Sequence, residues 1–229
     1  MIPTPDLSHL TKYDYEHVYE PAGMSYYLAL QYTFLLLDAL EEEADEIKKD
    51  PPLICLEIGS GSGCVSAFLG AILRQLPVVQ IATDINPRAS LCTLKTGTRN
   101  KISIDPITCP LAQPLLNRLR HSVDILLFNP PYVPTGSEEA FDAQTRGDIS
   151  GAWAGGASGM ETTCCFLKDV ETLLSDRGKC YLVALNQNDI NGICTMMLDE
   201  FNLQSKIIMQ RRAGREHLFI IRFSRTSNM

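Results

Sequence analysis

The apolar positions of this chain alternate between two spacings from residue 53 onward. Short apolar runs rich in β-branched residues predict strands at residues 53–58, 78–83, 123–128, 179–185, near 203–209 and 216–223. Between them, apolar residues at helical spacing predict helices at residues 64–75, 88–100, 160–174 and 189–200. Because apolar strands that alternate with helices form parallel sheets covered on both faces, the pattern predicts an α/β fold.

The two ends of the chain depart from this alternation. Only residues 211–214 separate the last two predicted strands, which predicts an antiparallel hairpin at one edge of the sheet. Near the amino terminus, apolar residues at helical spacing within residues 33–43 predict a helix packed on the sheet, and Pro51 and Pro52 end the charged segment that follows. We therefore expect an N-terminal extension and packing helix at residues 1–50 and one larger domain at residues 51–229.

Composition narrows the function classes. The 229 residues carry 20 Lys and Arg against 27 Asp and Glu, a net charge of −7, which disfavours binding to a phosphate backbone along the whole chain. Eight cysteines without a C-x-x-C pair, together with four histidines, predict reduced thiols in the core and no metal site. The sequence shows neither a signal-peptide pattern nor an apolar stretch long enough to span a membrane. The expected compartment is the cytoplasm, with the nucleus left open.

A glycine-rich loop follows the first predicted strand and opens a helix. Gly59, Gly61 and Gly63 let the backbone turn sharply and let a ligand approach it. The dinucleotide fingerprint fails because Cys64 stands where it requires a third glycine. The carboxylate of Glu57 suits a ligand with an ammonium group better than a pyrophosphate, and S-adenosylmethionine has such a group. A glycine-rich turn without a ligand is the competing interpretation.

An acidic residue, Asp84, ends the second predicted strand. At this distance from the glycine loop, its carboxylate can accept hydrogen bonds from both hydroxyls of a ribose, and Ile85 would flank the adenine. Asp and Asn also cap helices, so an N-cap on the following helix is the competing interpretation. The combination with the glycine loop favours the ribose role.

The strand predicted at residues 123–128 runs directly into Asn129, Pro130, Pro131 and Tyr132. The prolines stiffen this loop and leave its carbonyls free to accept hydrogen bonds. The Asn129 side-chain oxygen and the Pro130 carbonyl can accept both hydrogens of one planar NH₂ group, while Tyr132 offers a face for stacking. Because a carboxamide nitrogen is a poor nucleophile, two acceptors that polarise and orient it suit methyl transfer to that nitrogen. A simple proline-rich turn is the alternative.

These three segments resemble the class I S-adenosylmethionine-dependent methyltransferases that modify planar NH₂ groups. More closely, the chain resembles the eukaryotic HemK-like subfamily, the catalytic subunits of the release-factor glutamine N5-methyltransferase. The similarity covers roughly residues 13 to 223. Further matching segments are residues 18–22, 33–38, 128–133, 153–156 with Gly159, and 212–214.

The resemblance implies a Rossmann-like fold with a mostly parallel seven-stranded sheet and an antiparallel edge hairpin. It implies that S-adenosylmethionine is the donor and that the acceptor is the glutamine of the Gly-Gly-Gln motif in a class 1 translation release factor. It also implies a heterodimer with a small zinc-binding activator protein that covers a hydrophobic sheet edge. The implied catalytic residues are Asn129, Pro130, Pro131 and Tyr132, and the implied cofactor-binding residues are Thr33, Glu57, Gly59, Gly61, Gly63, Asp84, Ile85 and Asn129.

The chain departs from the family pattern at two places. Residues 23–32 are inserted before Thr33, the threonine that approaches the carboxylate end of the cofactor in the family. This insertion is a lid element, a packing helix or an error in the gene model. An Asp that relatives place near the adenine amino group is missing, since residues 107–110 occupy that place and Asp105 stands too early. We expect weaker cofactor binding or a backbone acceptor near Cys109.

Two other functions remain open at this point. One is an adenine N6-methyltransferase, because adenine also presents a planar NH₂ group; the acidic composition counts against it. The other is a methyltransferase-like scaffold that has lost catalysis. The insertion at residues 23–32 and the missing Asp near the adenine are the reasons to consider it. The one compact basic cluster, Arg211, Arg212 and Arg215, is either a solvated hairpin or a contact for an acidic or RNA-bearing partner.

Overall fold

A seven-stranded sheet forms the centre of the chain in the computed structural model, which describes residues 2–18, 26–131, 160–214 and 216–226. Its strands lie in the order β3-β2-β1-β4-β5-β7-β6. Strands β1 to β5 are parallel to their neighbours, and β7 is antiparallel to both β5 and β6. The predicted fold class, including the antiparallel edge hairpin, is confirmed. The strands are β1 (Ile54–Ile58), β2 (Val79–Asp84), β3 (Asp105–Thr108), β4 (Val123–Phe128), β5 (Leu174–Leu185), β6 (Leu203–Ala213) and β7 (Glu216–Arg225).

Helices cover both faces of the sheet. They are α1 (Lys12–Val18), α2 (Tyr26–Glu42), α3 (Ala44–Lys49), α4 (Cys64–Ile72), α5 (Pro87–Asn100), α6 (Glu161–Leu173) and α7 (Ile190–Phe201). Neighbouring residues of β4 point to opposite faces: Ile125 packs in the cluster with α2 and α4, and Leu126 in the cluster with α6 and α7. Two-sided burial explains why the central strands are apolar throughout rather than alternating.

Three strands differ from the sequence prediction by more than two residues. Strand β6 extends to Ala213 instead of ending near residue 209, so three of the four residues expected to connect it to β7 pair with β7 instead. Strand β3 was not among the strands that the hydrophobic pattern predicted, because it has four residues, contains Pro106 and lies at an exposed edge. Strand β5 starts at Leu174 instead of residue 179. Its first residues look like a turn in the sequence, but Leu174 pairs with Val123, and a Cβ on Gly178 would lie 2.6 Å from the Val123 carbonyl oxygen. Close approach to β4 therefore requires glycine there.

Helix α2 begins at Tyr26, seven residues before the predicted start at residue 33. Its Leu35, Leu36 and Leu40 pack in one apolar cluster with residues of β1 and β4, so the expected packing on the sheet is confirmed. Residues 26–32 of the insertion form the first turns of this helix, which agrees with the packing-helix interpretation for that part. Tyr32 is fully buried, and its hydroxyl donates a hydrogen bond to Glu216.

The thiols are only partly core residues. Cys164 and Cys165 are exposed on α6, so the expectation that the cysteines fill the core is wrong for this pair. Five others are buried: Cys55, Cys64, Cys92, Cys109 and Cys180. Among the described residues, no helix could cross a membrane, and no three His, Cys, Asp or Glu side chains are grouped so as to hold a metal ion.

Candidate active site at the carboxyl ends of the strands

The three predicted site segments meet at one edge of the sheet. The glycine loop follows β1, Asp84 ends β2, and Asn129 follows β4. Strand β1 lies between β2 and β4, and the three run parallel, so their carboxyl ends are neighbours. In open α/β sheets, ligands bind in the crevice at these ends.

The glycine loop uses left-handed backbone at each of its glycines. The φ angles are +65° at Gly59, +52° at Gly61 and +75° at Gly63, a region that L side chains rarely adopt. At Gly63 packing also excludes a side chain, since a Cβ there would lie 2.7 Å from the Cα of Thr93. A Cβ on Gly59 would lie 3.7 Å from Phe128, an ordinary van der Waals contact, so the left-handed backbone rather than packing favours glycine at this position.

Helix α5 holds the loop in place. Thr93 Oγ1 lies 2.8 Å from Ser60 Oγ, and Thr96 donates a 2.6 Å hydrogen bond to the Ser62 carbonyl. Both threonines are fully buried. Sequence reasoning missed them, although two threonines three residues apart on a helix could have suggested a polar face turned inward. Hydrogen bonds from α5 therefore fix the conformation of the glycine loop without help from a ligand.

Asp84 is joined to the glycine loop. Its Oδ2 accepts a hydrogen bond of 2.9 Å from the Gly61 N–H, and its Oδ1 accepts one of 2.9 Å from the Asn86 N–H. The N-cap of α5 is Asn86, whose Oδ1 accepts from the Arg88 N–H at 2.9 Å, so the capping interpretation is wrong for Asp84. Desolvation raises the pKa of Asp84, and the two backbone hydrogen bonds oppose that rise.

Glu57 is buried at the end of β1, beside the start of α4. Its Oε2 accepts a 2.9 Å hydrogen bond from the Ser66 N–H and another from the Ser66 hydroxyl. Burial raises the pKa of Glu57 to about 8, against the lowering effect of these bonds. One carboxyl oxygen is thus bound to α4, and the Oε1 has no partner among the described residues. Contact between this oxygen and a ligand remains a prediction.

The loop after β4 presents a buried acceptor. The Asn129 Oδ1 is buried and has no hydrogen-bond partner within the described part of the chain. Pro130 and Pro131 are buried beside it, and Tyr132 lies outside the described residues. Phe128, the last residue of β4, packs on Phe166 of α6 with ring centroids 4.4 Å apart, which anchors the start of the loop. A buried amide oxygen without a hydrogen-bond partner lowers the stability of the fold unless a ligand pairs with it.

Three further predicted positions lie around these segments. Ile85 is half-buried directly after Asp84, and Thr33 is buried on α2; their cofactor contacts remain predictions. The Cys109 N–H donates a 2.9 Å hydrogen bond to the Asp84 carbonyl, so residues after β3 do lie next to Asp84. Asp105 starts β3, three residues before Thr108 pairs with Asp84, or about 10 Å away along the strand. It stands too early to replace the missing Asp.

A pocket adjoins the Asn129 loop. The space it encloses is narrow, enough for about one water molecule, and it opens to solvent. Its walls come from α2, the loop after β4, β5 and the turn that follows it, and the starts of α6 and α7: Tyr32, Pro130, Met160, Thr163, Val183, Ala184, Leu185, Asn188 and Ile193. Sequence reasoning named only Pro130 from this set, because the other residues are far apart in the chain.

Known proteins resemble this chain over its whole length, although no family model matches it. Methyltransferase HEMK2 of Mus musculus is 42% identical over 225 residues, 98% of this chain and 98% of its own. The eRF1 methyltransferase catalytic subunit mtq2 of Schizosaccharomyces pombe is 36% identical over 237 aligned residues, 100% of this chain and 98% of its own.

A solved structure shares the fold. Mtq2 of E. cuniculi, determined in a complex with Trm112 responsible for the methylation of the eRF1 translation termination factor, superimposes with a TM-score of 0.61 and 23% sequence identity. The match covers 91% of this chain and 98% of the other. At this identity it supports the arrangement of strands and helices.

Proposed function

This chain belongs to the HEMK2 and Mtq2 family of methyltransferases, and from that membership we propose that it methylates a glutamine in a class 1 translation release factor. The acceptor atom is the side-chain N5 of the glutamine in the Gly-Gly-Gln motif, and the donor is S-adenosylmethionine. A family member is named as the catalytic subunit of an eRF1 methyltransferase. The observation that carries the proposal is the buried Asn129 Oδ1 without a partner, at the point where a planar NH₂ group would bind.

The acceptor side of the reaction follows from the Asn129 loop. Asn129 Oδ1 and the Pro130 carbonyl accept the two hydrogens of the glutamine NH₂ group, which fixes the plane of the amide. Both acceptors increase the electron density on a nitrogen whose lone pair is otherwise delocalised. The nitrogen gains the methyl group as the bond between that methyl group and the donor's sulfur breaks, and it gives up one proton to solvent. Positioning and polarisation supply the rate enhancement, so no covalent enzyme intermediate is required.

The donor side fits the residues around the glycine loop. S-adenosylmethionine supplies an electrophilic methyl group when bound. The left-handed glycines leave backbone uncovered for close approach, and the Asp84 carboxylate would hold the ribose hydroxyls with lone pairs not used by Gly61 and Asn86. Glu57 would face the ammonium group, Ile85 the adenine and Thr33 the carboxylate end. Because α5 already holds the loop, little ordering is needed on binding.

Transfer of a labelled methyl group tests this proposal. The full chain, co-expressed with a Trm112-like partner, is supplied with radiolabelled S-adenosylmethionine and one of three acceptors. These are release factor, release factor with its Gly-Gly-Gln glutamine changed to arginine, and adenine-rich DNA. We expect label on the unchanged release factor alone. Label on DNA alone would support an adenine methyltransferase, and label on none of them would support a non-catalytic scaffold.

The sheet edge at β3 is the proposed surface for the small zinc-binding partner. Leu91 and Leu94 of α5, which packs on β3, are 51% and 48% exposed. At the opposite edge, β6 carries exposed Lys206, Arg211 and Arg212 and a register irregularity between residues 207 and 209. Charges and bulges protect edge strands from pairing, whereas exposed leucines beside a short edge suit an apolar partner surface.

Paired substitutions distinguish the two edges. Leu91→Asp with Leu94→Asp is expected to abolish co-purification with the Trm112-like partner. Leu198→Asp, at a leucine of α7 that is 47% exposed, is the matched control and should retain the partner. Metal analysis of the purified complex should find zinc, and the chain alone should contain none. Retention of the partner by the double variant would exclude this edge.

The proposed localisation is cytoplasmic, with the nucleus as a second compartment, because the proposed substrate acts on translating ribosomes. Fluorescence microscopy of a fluorescent fusion of the full chain tests this localisation. Signal only from a compartment other than the cytoplasm and the nucleus would contradict it.

A further inference from the structure

A second buried polar atom without a partner lies beside the Asn129 loop. The Thr163 Oγ1, on the first turn of α6, has no hydrogen-bond partner within the described part of the chain, and the residue is 2% exposed. A buried hydroxyl that pairs with nothing destabilises the folded chain. Such a group calls for an explanation, and a ligand that pairs with it is one.

Thr163 and Pro130 line the same pocket. Phe166 lies one helical turn after Thr163 and packs on Phe128, one residue before Asn129. This contact holds the first turn of α6 next to the end of β4. Most other walls of the pocket are apolar, including Val183, Leu185 and Ile193. The Thr163 hydroxyl is therefore placed among mostly apolar walls, where it can pair with a single hydrogen-bonding atom of a ligand such as a carbonyl oxygen.

The unpaired Asn129 Oδ1 and Thr163 Oγ1 match the two halves of a carboxamide. Asn129 Oδ1 can only accept, and it suits the NH₂ half. A threonine hydroxyl can donate, and it suits the carbonyl half. Resting on the proposed function, we propose that Thr163 donates a hydrogen bond to the side-chain carbonyl oxygen of the acceptor glutamine. Thr163 is thus an acceptor-binding residue that, together with Asn129, holds the amide in its plane.

This role makes stability and acceptor binding respond in opposite directions. Thr163→Val removes the hydroxyl while keeping the shape, so the free chain loses an unpaired polar atom and should unfold at the same or a higher temperature. In the complex the glutamine carbonyl is left unpaired. A purely structural threonine would show the reverse: lower thermal stability and unchanged acceptor binding.

Steady-state kinetics of the co-expressed complex test the inference with release factor as the varied substrate. For Thr163→Val we expect kcat/KM to fall roughly 5- to 100-fold, while the Kd for S-adenosylmethionine, from calorimetry, stays within about twofold. Thr163→Ser keeps the hydroxyl and should retain most of the activity. Thr162→Val, at the half-buried neighbour outside the pocket, is the matched control and should match the unchanged chain.

The outcomes separate this inference from the proposed function. If the unchanged chain methylates release factor and Thr163→Val does so equally well, the hydrogen bond is absent while the function stands. Loss of thermal stability in Thr163→Val with unchanged kcat/KM would assign Thr163 to packing. An unchanged chain that labels only DNA would overturn the function and this inference together.

Discussion

The two ends of strand β4 contrast in how their polar groups are paired. At the amino end, the Asp124 carboxylate accepts hydrogen bonds from Leu53 N–H at 2.7 Å and Ser175 Oγ at 2.6 Å. It also accepts from Ile54 N–H and from Arg177 Nε, at 3.3 Å and 3.2 Å. At the carboxyl end, five residues later, the Asn129 Oδ1 is buried without a partner.

The carboxyl groups at the two ends show the same contrast in acidity. Burial alone would raise the pKa of Asp124, but the hydrogen bonds from Ser175 and the backbone, with the charge of Arg177, lower it overall. Beside the other end, Glu57 of β1 pairs with Leu127 of β4, and burial raises the pKa of Glu57 to about 8 in spite of its hydrogen bonds with Ser66. The polar groups at the amino end therefore stabilise the fold. The carboxyl end keeps buried polar groups that destabilise the fold and that a ligand can pair with.

The largest expected effect is the loss of methyl transfer in Asn129→Ala. Removing one of the two NH₂ acceptors should reduce kcat by roughly 1,000-fold, because the nucleophile is no longer polarised or oriented. Thermal stability should be unchanged or higher, since a buried unpaired oxygen is removed.

A matched control exists on the neighbouring strand. Asn186 is exposed just after the end of β5, and Asn186→Ala should leave kcat unchanged. Single-turnover kinetics with release factor measure both variants. Equal rates in the two would refute the acceptor role of Asn129.

At the opposite end, Asp124→Ala should reduce stability. Two backbone N–H groups and Arg177 lose their shared acceptor, so the free energy of unfolding should fall by ~2–3 kcal/mol. Asp176→Ala, at an exposed neighbour of Ser175 and Arg177, should change it by less than about 0.5 kcal/mol. Urea denaturation of the complete complex gives both values. An Asp124→Ala variant with unchanged stability but reduced cofactor affinity would contradict the conclusion that the amino end of β4 serves stability and not ligand binding.

Cofactor affinity should fall next in Asp84→Asn. If Asp84 holds the ribose as proposed, loss of the charge would weaken its two hydrogen bonds to the hydroxyls, and the Kd for S-adenosylmethionine should rise roughly 10- to 100-fold. Asp105→Asn, at an exposed position of the adjacent strand, should keep the original Kd. Calorimetric titration measures these constants. An unchanged Kd for S-adenosylmethionine in Asp84→Asn would contradict the ribose-binding role of Asp84.

The smallest expected effect is a pH dependence through Glu57. Its pKa is about 8 in the folded chain and ordinarily 4.5, so the folded chain holds an extra proton between these values. Stability from this group therefore falls as pH rises through that window. If the cofactor ammonium pairs with ionised Glu57, binding releases the proton, and affinity should rise by at most about tenfold per pH unit up to pH 8.

Calorimetry in two buffers of different ionisation enthalpy detects the released proton. Glu57→Gln cannot titrate and should give a flatter profile. The same proton release in both chains would mean that another group is responsible.

The predictable part of the fold and site consists of local chemistry. Positive φ angles at Gly59, Gly61 and Gly63 favour glycine because it has no Cβ, and Asn86 before Pro87 is a common signal for the start of a helix. The central strands were predictable because burial on both faces leaves a run of apolar residues. Strand β3 was not predictable, since four residues that include a proline are too few to show the apolar run of a buried strand.

Local sequence is enough to predict the longer strands and helices, the glycine loop and the stiff Asn129-Pro130 segment, because each depends on residues next to one another. Packing between separate segments, in contrast, places Ser66 against Glu57, joins β1 to β5 through Asp124, and brings Thr163 into a pocket with Pro130. These contacts join residues that are distant in the chain. A threonine inside a helix has the same local pattern in a protein core, at the surface or beside a ligand, and only packing distinguishes them.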